Sequence, residues 1–200
     1  MGSTQITIVY LHWTKTNKKM LPKNVEIPKS SSQFMKFEDG KNKIRILSDA
    51  VHGWEGWKNK KPFRHEGQIC KIKPEEVDEN QNGRPNINYF WAMTVWNYSK
   101  KMVQILSITQ KSIMTPLLNY EQGDEWGDLK GYDIEITKHK EGDKVTYFVS
   151  AMPPKAISKE ITEALESSKV DLSKLFDGKY PMGESKVEYP EDISPADIPF

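Results

Sequence analysis

The chain has 200 residues, with 29 basic and 28 acidic side chains and an apolar fraction of 36%. That length suits one domain with appendages, or at most two small ones, and buries a core without help from disulfides or metal; so polar a composition makes the folded part smaller than the chain. A single cysteine, Cys70, excludes an internal disulfide and favours a reducing compartment, and no run of 18 apolar residues is present to span a membrane.

In chain order, Met1-Gly2-Ser3 reads as foreign to the fold, and the apolar stretch Ile6 to Leu11 lacks the basic leader and cleavage site of a signal peptide. Residues 14–33 are basic, hold two prolines and run into three serines, so residues 1–33 read as an extended basic arm. The fold is expected to start at Phe34. After a turn at Gly40, residues 43–48 alternate as a first strand, which continues past a bend through Trp54-Glu55-Gly56-Trp57. Residues 58–86 read as one long polar loop, rich in Lys and Arg, of the kind that is functional or mobile in a compact domain.

Residues 88–96 are aromatic and β-branched, a second strand, and residues 101–108 form a third. Thr109 is placed to cap a helix over residues 110–120, with Ile113, Leu117 and Leu118 at helical spacing and Pro116 marking a start or kink. Residues 132–138 and 145–150, joined by a tight turn at Glu141-Gly142-Asp143-Lys144, are the fourth and fifth strands. The order β-β-β-α-β-β predicts a mainly β fold, a five-stranded OB-fold barrel over residues 34–152 with its helix between strands three and four; another small barrel or an α+β sandwich fits the same order. Ile157, Ile161, Ala164 and Leu165 recur at helical spacing, and a further short element covers residues 172–176, so residues 153–177 are expected to pack on the barrel wall. Residues 178–200 are expected to be a disordered acidic tail.

Charge sharpens this division. From Asp177 onward there are six acids and two lysines, which leaves residues 1–176 with a net charge of about +5. A basic body suits an anionic partner. The four histidines are scattered, and no metal-ligand spacing, nucleophile motif or phosphate-cradling glycine loop is present, so no catalytic residue, metal or cofactor is expected.

Aromatic rings interleaved with bases are the stronger signal. Single-stranded nucleic acid needs ring faces for unstacked bases and cations for phosphates. Trp54 and Trp57 precede Lys58, Lys60, Lys61 and Arg64; Tyr89, Trp91, Trp96 and Tyr98 crowd the second strand and its turn, beside Lys101. Arg45 lies mid-strand, opposite Ile44 and Ile46, as a solvated arginine or a groove arginine near phosphate. These twelve residues are the candidate nucleic-acid contacts. Strand aromatics also fill cores, and the second strand carries large rings on both faces: Tyr89 and Trp91 on one, Phe90 and Trp96 on the other. Which rings are core stays open at this point.

The sequence ends Asp197-Ile198-Pro199-Phe200 after an acidic stretch. An apolar ring and Ile for a pocket, a carboxylate for an Arg or Lys, and acids for a basic rim make a simple docking tip. These four residues resemble the tip of bacterial single-stranded DNA-binding proteins, which dock replication and repair enzymes. The body is similar to single-stranded DNA-binding proteins of tailed phages over about residues 15–150. The likeness rests on Phe34-Met35-Lys36-Phe37 through Gly40, residues 43–48, Gly53-Trp54-Glu55-Gly56-Trp57, Phe90-Trp91-Ala92, Val95-Trp96-Asn97-Tyr98, residues 108–113, and Trp126-Gly127-Asp128 with Tyr132-Asp133-Ile134. The resemblance implies an OB-fold and a role in phage DNA replication, recombination or repair in the host cytoplasm. It also implies single-stranded DNA as ligand and replication or repair proteins as partners of residues 197–200. Some phage members carry a structural zinc; the ligands for it are lacking here. An OB-like adaptor without a nucleic-acid ligand and an RNA-binding protein are the rival readings, with an enzyme last.

Overall fold

The computed structural model describes residues 33–182. These fall in the second of two units, Met1–Ser31 and Ser32–Phe200. Of the expected acidic tail, residues 178–182 are described and held to the fold, the Pro181 carbonyl accepting from the Asp171 N–H (3.0 Å); residues 183–200 and the basic arm before residue 33 lie outside the described residues.

The fold is mainly β: a seven-stranded antiparallel sheet with two α-helices. Strand β1 (Gly40–Ile46) and strand β2 (Val51–Lys58) both pair with one edge of the long strand β4 (Ile87–Asn97). They behave as one strand bent at residues 47–50. At the bend Leu47 N–H still bonds the Thr94 carbonyl (2.9 Å), while Thr94 N–H turns to the Ser48 hydroxyl (2.9 Å). A side chain thus replaces a backbone acceptor where the ladder breaks. Strand β5 (Met102–Ile108) takes the other edge of β4. Strand β6 (Tyr132–Glu141) pairs with β1, and strand β7 (Lys144–Pro154) hairpins back onto β6.

Two features depart from the five-strand expectation. First, the long polar loop contains strand β3 (Lys61–Glu66), which pairs with β2 through a two-residue turn at Asn59 and Lys60, both with positive φ. Its sequence, Lys-Pro-Phe-Arg-His-Glu, reads as loop because an edge strand is held by backbone bonds and its own apolar pattern is short. Second, the sheet is open: β5 and β7 form no ladder among the described residues. Residues 33–37 run instead along β5, where Met35 N–H bonds the Ile105 carbonyl (2.9 Å), and then set Phe37 against the Tyr147 ring of β7 (5.4 Å).

The β2–β3 hairpin depends on two glycines. A Cβ on Gly53 would stand 2.1 Å from the His65 carbonyl oxygen, and one on Gly56 would meet the Phe63 ring at 2.7 Å. Backbone cannot yield as a side-chain tip can. Gly53→Ala is therefore expected to cost about 1–3 kcal/mol, as overpacking does, and to loosen β3; urea denaturation that moved by under ~0.5 kcal/mol would show that the hairpin tolerates the methyl.

Helix α1 (Lys111–Gln122) buries Ile113, Met114 and Leu117. It begins after Gln110, whose side chain makes no cap bond, so Thr109 is not the cap; the helix also runs through Pro116 rather than starting there. Its buried face closes the main core with Ile44, Ile46, Met93, Val95, Leu106, Ile108, Ile134 and Ile136. Each such side chain contributes roughly 1.5–3 kcal/mol on burial. The opposite face of β4 is covered as well. Helix α2 (Lys159–Ser168) sets Ile161 on Trp96 and Val103, and the 3-10 turn Leu172–Leu175 sets its two leucines on Phe90, Ala92 and Ile105. Large rings on both faces of β4 have a plain cause: both faces are buried.

Candidate nucleic-acid interface

Arg45 lies neither in solvent nor in a groove. It is 1% exposed. Its Nε donates to Asp133 Oδ1 (2.7 Å), Nη1 to the Lys130 carbonyl (3.0 Å) and Nη2 to the Lys155 carbonyl (2.6 Å). Asp133 also takes Lys43 Nζ (2.9 Å) and the Tyr98 hydroxyl (2.9 Å). Burial pushes the Asp133 carboxyl up, but bonds from Lys43, Arg45 and Tyr98 together hold it below 3.8. Each guanidinium nitrogen is thus bonded to a protein acceptor, so Arg45 is a staple across β1, β6 and the chain leaving β7.

Trp96 is 3% exposed and sits under α2, so it is core and cannot stack on a base in this arrangement. Tyr98 is half-buried, with Lys43 Nζ over its ring (4.6 Å), and Lys101 is an exposed turn residue with positive φ. With Arg45 and Trp96, both lie at the far end of β4 from the remaining candidates. From Asn88, opposite Glu55 of β2, to Trp96 is roughly 26 Å along the strand at about 3.3 Å per residue.

The remaining candidates divide between the two faces. Paired residues in an antiparallel ladder share a face. Glu55, Trp57, Pro62 and Arg64 share the face of Phe90 and Ala92, whereas His52, Trp54, Tyr89 and Trp91 share the other.

On the first face lies a hollow of about 640 Å³, lined by Trp57, Lys61, Arg64, Lys179, Tyr180, Phe34 and others. Trp57 is half-buried, and its Nε1 donates to Glu55 Oε1 (2.8 Å). Glu55 is buried and paired with Arg64, whose guanidinium lies over the Phe90 ring (5.2 Å). The Arg64 side chain is only 11% exposed, so it positions Trp57 through Glu55 and is not a free phosphate ligand. Lys58, Lys60 and Lys61 are exposed on the β2–β3 turn beside this hollow. Lys58 and Lys61 are direct ladder partners, a like-charge pair that is destabilising unless an anion stands between; by alternation they share the face of Trp54 and Gly56, and of the two only Lys61 lines this hollow. Tyr180 is 63% exposed. Lys61, Arg64 and Lys179 line the hollow with Glu55; Arg64 takes Glu55 and Asp177 stands 3.9 Å from the Lys179 ammonium, so the surplus positive charge of this hollow rests chiefly on Lys61. Neither Tyr180 nor Lys179 carried a signal in the sequence, since both read as the start of the acidic tail.

On the second face lies a smaller hollow of about 340 Å³. His52, Tyr89, Trp91 and Met93 form its floor, and Leu117 and Leu118 of α1 form a wall. The Tyr89 hydroxyl and His52 Nδ1 share a hydrogen bond (2.9 Å), and Trp54 packs edge-on to Tyr89 (5.3 Å) while its Nε1 donates to the Gln68 carbonyl. Asp49, Glu121 and Asp128 line it against one cation, Lys130, which bridges Asp49 (2.6 Å) and Asp128 (3.6 Å). The Asp49 hydrogen bond is the main reason the Lys130 ammonium is held above its usual range.

Among the described residues no group of three or more His, Cys, Asp or Glu side chains could hold a metal, and no helix is long and apolar enough to cross a membrane. No family model, no curated protein and no solved structure matches the chain.

Proposed function

We propose that this protein binds single-stranded DNA with little regard to sequence, along the basic hollow that holds Trp57 and Tyr180. The observation that carries the reading is the joining of two accessible rings to Lys61, Lys179 and the lysine-tipped β2–β3 turn. Bases stack on ring faces while ammonium groups follow the phosphates, the pairing that single strands require. Trp57 is fixed in advance by Glu55 and Arg64, so little ordering is lost on binding. The strand connectivity supports an OB-type framework. With β1 and β2 taken as one bent strand and β3 as an elaboration of the following loop, the order is three strands, a helix and a returning hairpin. On this reading the protein coats DNA during phage replication, recombination or repair, and residues 197–200 recruit partner proteins.

The test is titration of the full chain with oligo(dT), read by tryptophan quenching at several salt concentrations. Affinity is expected to fall with salt at a slope of about −0.7 per phosphate contacted. Lys61→Ala and Lys179→Ala are each expected to flatten that slope by about one such step. Removing residues 197–200 is expected to leave affinity undiminished. No binding at low salt, or loss of binding with those four residues, would overturn the assignment. Parallel titration with oligo(rU) separates DNA from RNA through the 2′-hydroxyl.

A further inference from the structure

The acid-lined hollow on the second face takes no part in that reading. Its lining is apolar where it is deep, with Trp91, Met93 and Leu117, and acidic where it carries charge. Lys130 is already engaged by Asp49 and Asp128, which leaves Glu121 as surplus negative charge. A phosphate backbone is repelled by such a lining. The acidic stretch over residues 184–197 carries the same sign and would be repelled alike. Leu118, 41% exposed, extends the apolar wall into solvent, beyond what the core of α1 uses. The lining is also set in advance: Glu121 accepts the Leu129 N–H (3.0 Å), Asp128 accepts the Lys130 N–H (2.8 Å), and Tyr89 is tied to His52.

We propose that this hollow docks a segment of a partner protein that carries a large apolar side chain next to lysine or arginine. The apolar side chain fills the space over Trp91 and Leu118, where burial drives binding. The neighbouring cation meets Glu121 and the carboxylates beside it, and complementary charge sets orientation and choice of partner. A volume of about 340 Å³ is near the small end of the range for ligand pockets, enough for an anchor side chain and its neighbour. Because Trp57 and Trp91 face opposite ways, such a partner and a DNA strand are held at the same time.

The test uses the full chain against an array of hexapeptides with Leu, Phe or Trp at the centre and Lys/Arg, Ser or Asp/Glu at the flanks. Basic-flanked members are expected to bind about ten-fold better than acidic-flanked ones. Glu121→Gln keeps an acceptor for Leu129 and is expected to shrink that preference to about three-fold. Leu118→Gln, on an exposed helical position, is expected to weaken every apolar-centred peptide by about five-fold or more. Oligo(dT) affinity is expected to hold in both variants. Absence of binding, a preference for acidic flanks, or indifference to Leu118→Gln would overturn the proposal. So would loss of oligo(dT) affinity in Leu118→Gln, which would make the hollow a nucleic-acid site, or dissociation of a dimer by that variant, which would make it a self-contact. The oligo(dT) arm of the unaltered chain reads the DNA assignment separately.

Discussion

Arg45→Ala is expected to cost about 3–5 kcal/mol of folding stability, the range for removing one member of a buried ion pair. The loss is large because three elements are joined at one guanidinium. Asp133 loses its shortest ion pair, and the carbonyls of Lys130 and Lys155 lose their donors. For a chain of this size the melting temperature should fall by about 6–20 °C. Arg45→Lys keeps the charge, but one ammonium cannot reach three acceptors set around a planar fork, so it should recover only part of the loss. A drop of under ~1 kcal/mol would show that Lys43 and Tyr98 suffice for Asp133.

The same network sets a dependence on pH. Asp133 is held below 3.8 in the fold. Its contribution is therefore complete above the unfolded carboxyl value and is lost as pH falls through the lower folded value. The unaltered protein should keep this share of its stability down to about pH 4. In Arg45→Ala burial still pushes the carboxyl up with less to oppose it, so stability should begin to fall at a higher pH. Identical acid limbs in the two melting series would contradict this account of Asp133.

Trp57→Ala and Tyr180→Ala are each expected to weaken oligo(dT) binding about 5- to 150-fold, since a stacked base is worth about 1–3 kcal/mol. The rings lie in one hollow, so the double variant tests whether one strand uses both: losses that multiply indicate two separate bases, and a smaller combined loss indicates one shared base. Anisotropy of a labelled oligonucleotide is the readout, because the substitution removes a reporter tryptophan. Trp57→Phe separates ring from anchor. It keeps a stacking face but gives up the bond from Nε1 to Glu55, and should fall between the parent and Trp57→Ala. Unchanged affinity in the double variant would move the binding surface elsewhere.

Much of the framework was legible in the sequence because it rests on local alternation. Strand β4 shows both of its faces in residues 88–96, α1 shows its core stripe at Ile113 and Leu117, and the tight turn at Glu141 to Lys144 announces the last hairpin. What stayed hidden depends on distant partners. Nothing near Trp96 indicates that Ile161 will cover it, and nothing near Arg45 shows that Asp133 and two carbonyls will surround it. For the candidate contacts, residue chemistry is legible in the sequence and placement is not. Trp57 and Lys61 do meet, but Tyr89 and Trp91 stand on the reverse of the same sheet, since the two-residue period that separates them from Phe90 also separates the two hollows.

That separation has an electrostatic consequence for the two hollows. Lys61 and Lys179 line the hollow on one face of the sheet, and Asp49, Glu121 and Asp128 line the hollow on the other, so the two hollows differ in the sign of their charge. If the protein binds DNA as proposed, a polyanion is drawn to the hollow of Trp57 and Tyr180 and turned away from that of Trp91. Copies bound along one strand in that way would turn their acid-lined hollows outward. The resulting filament would repel a second nucleic-acid strand and would remain open to cationic peptides.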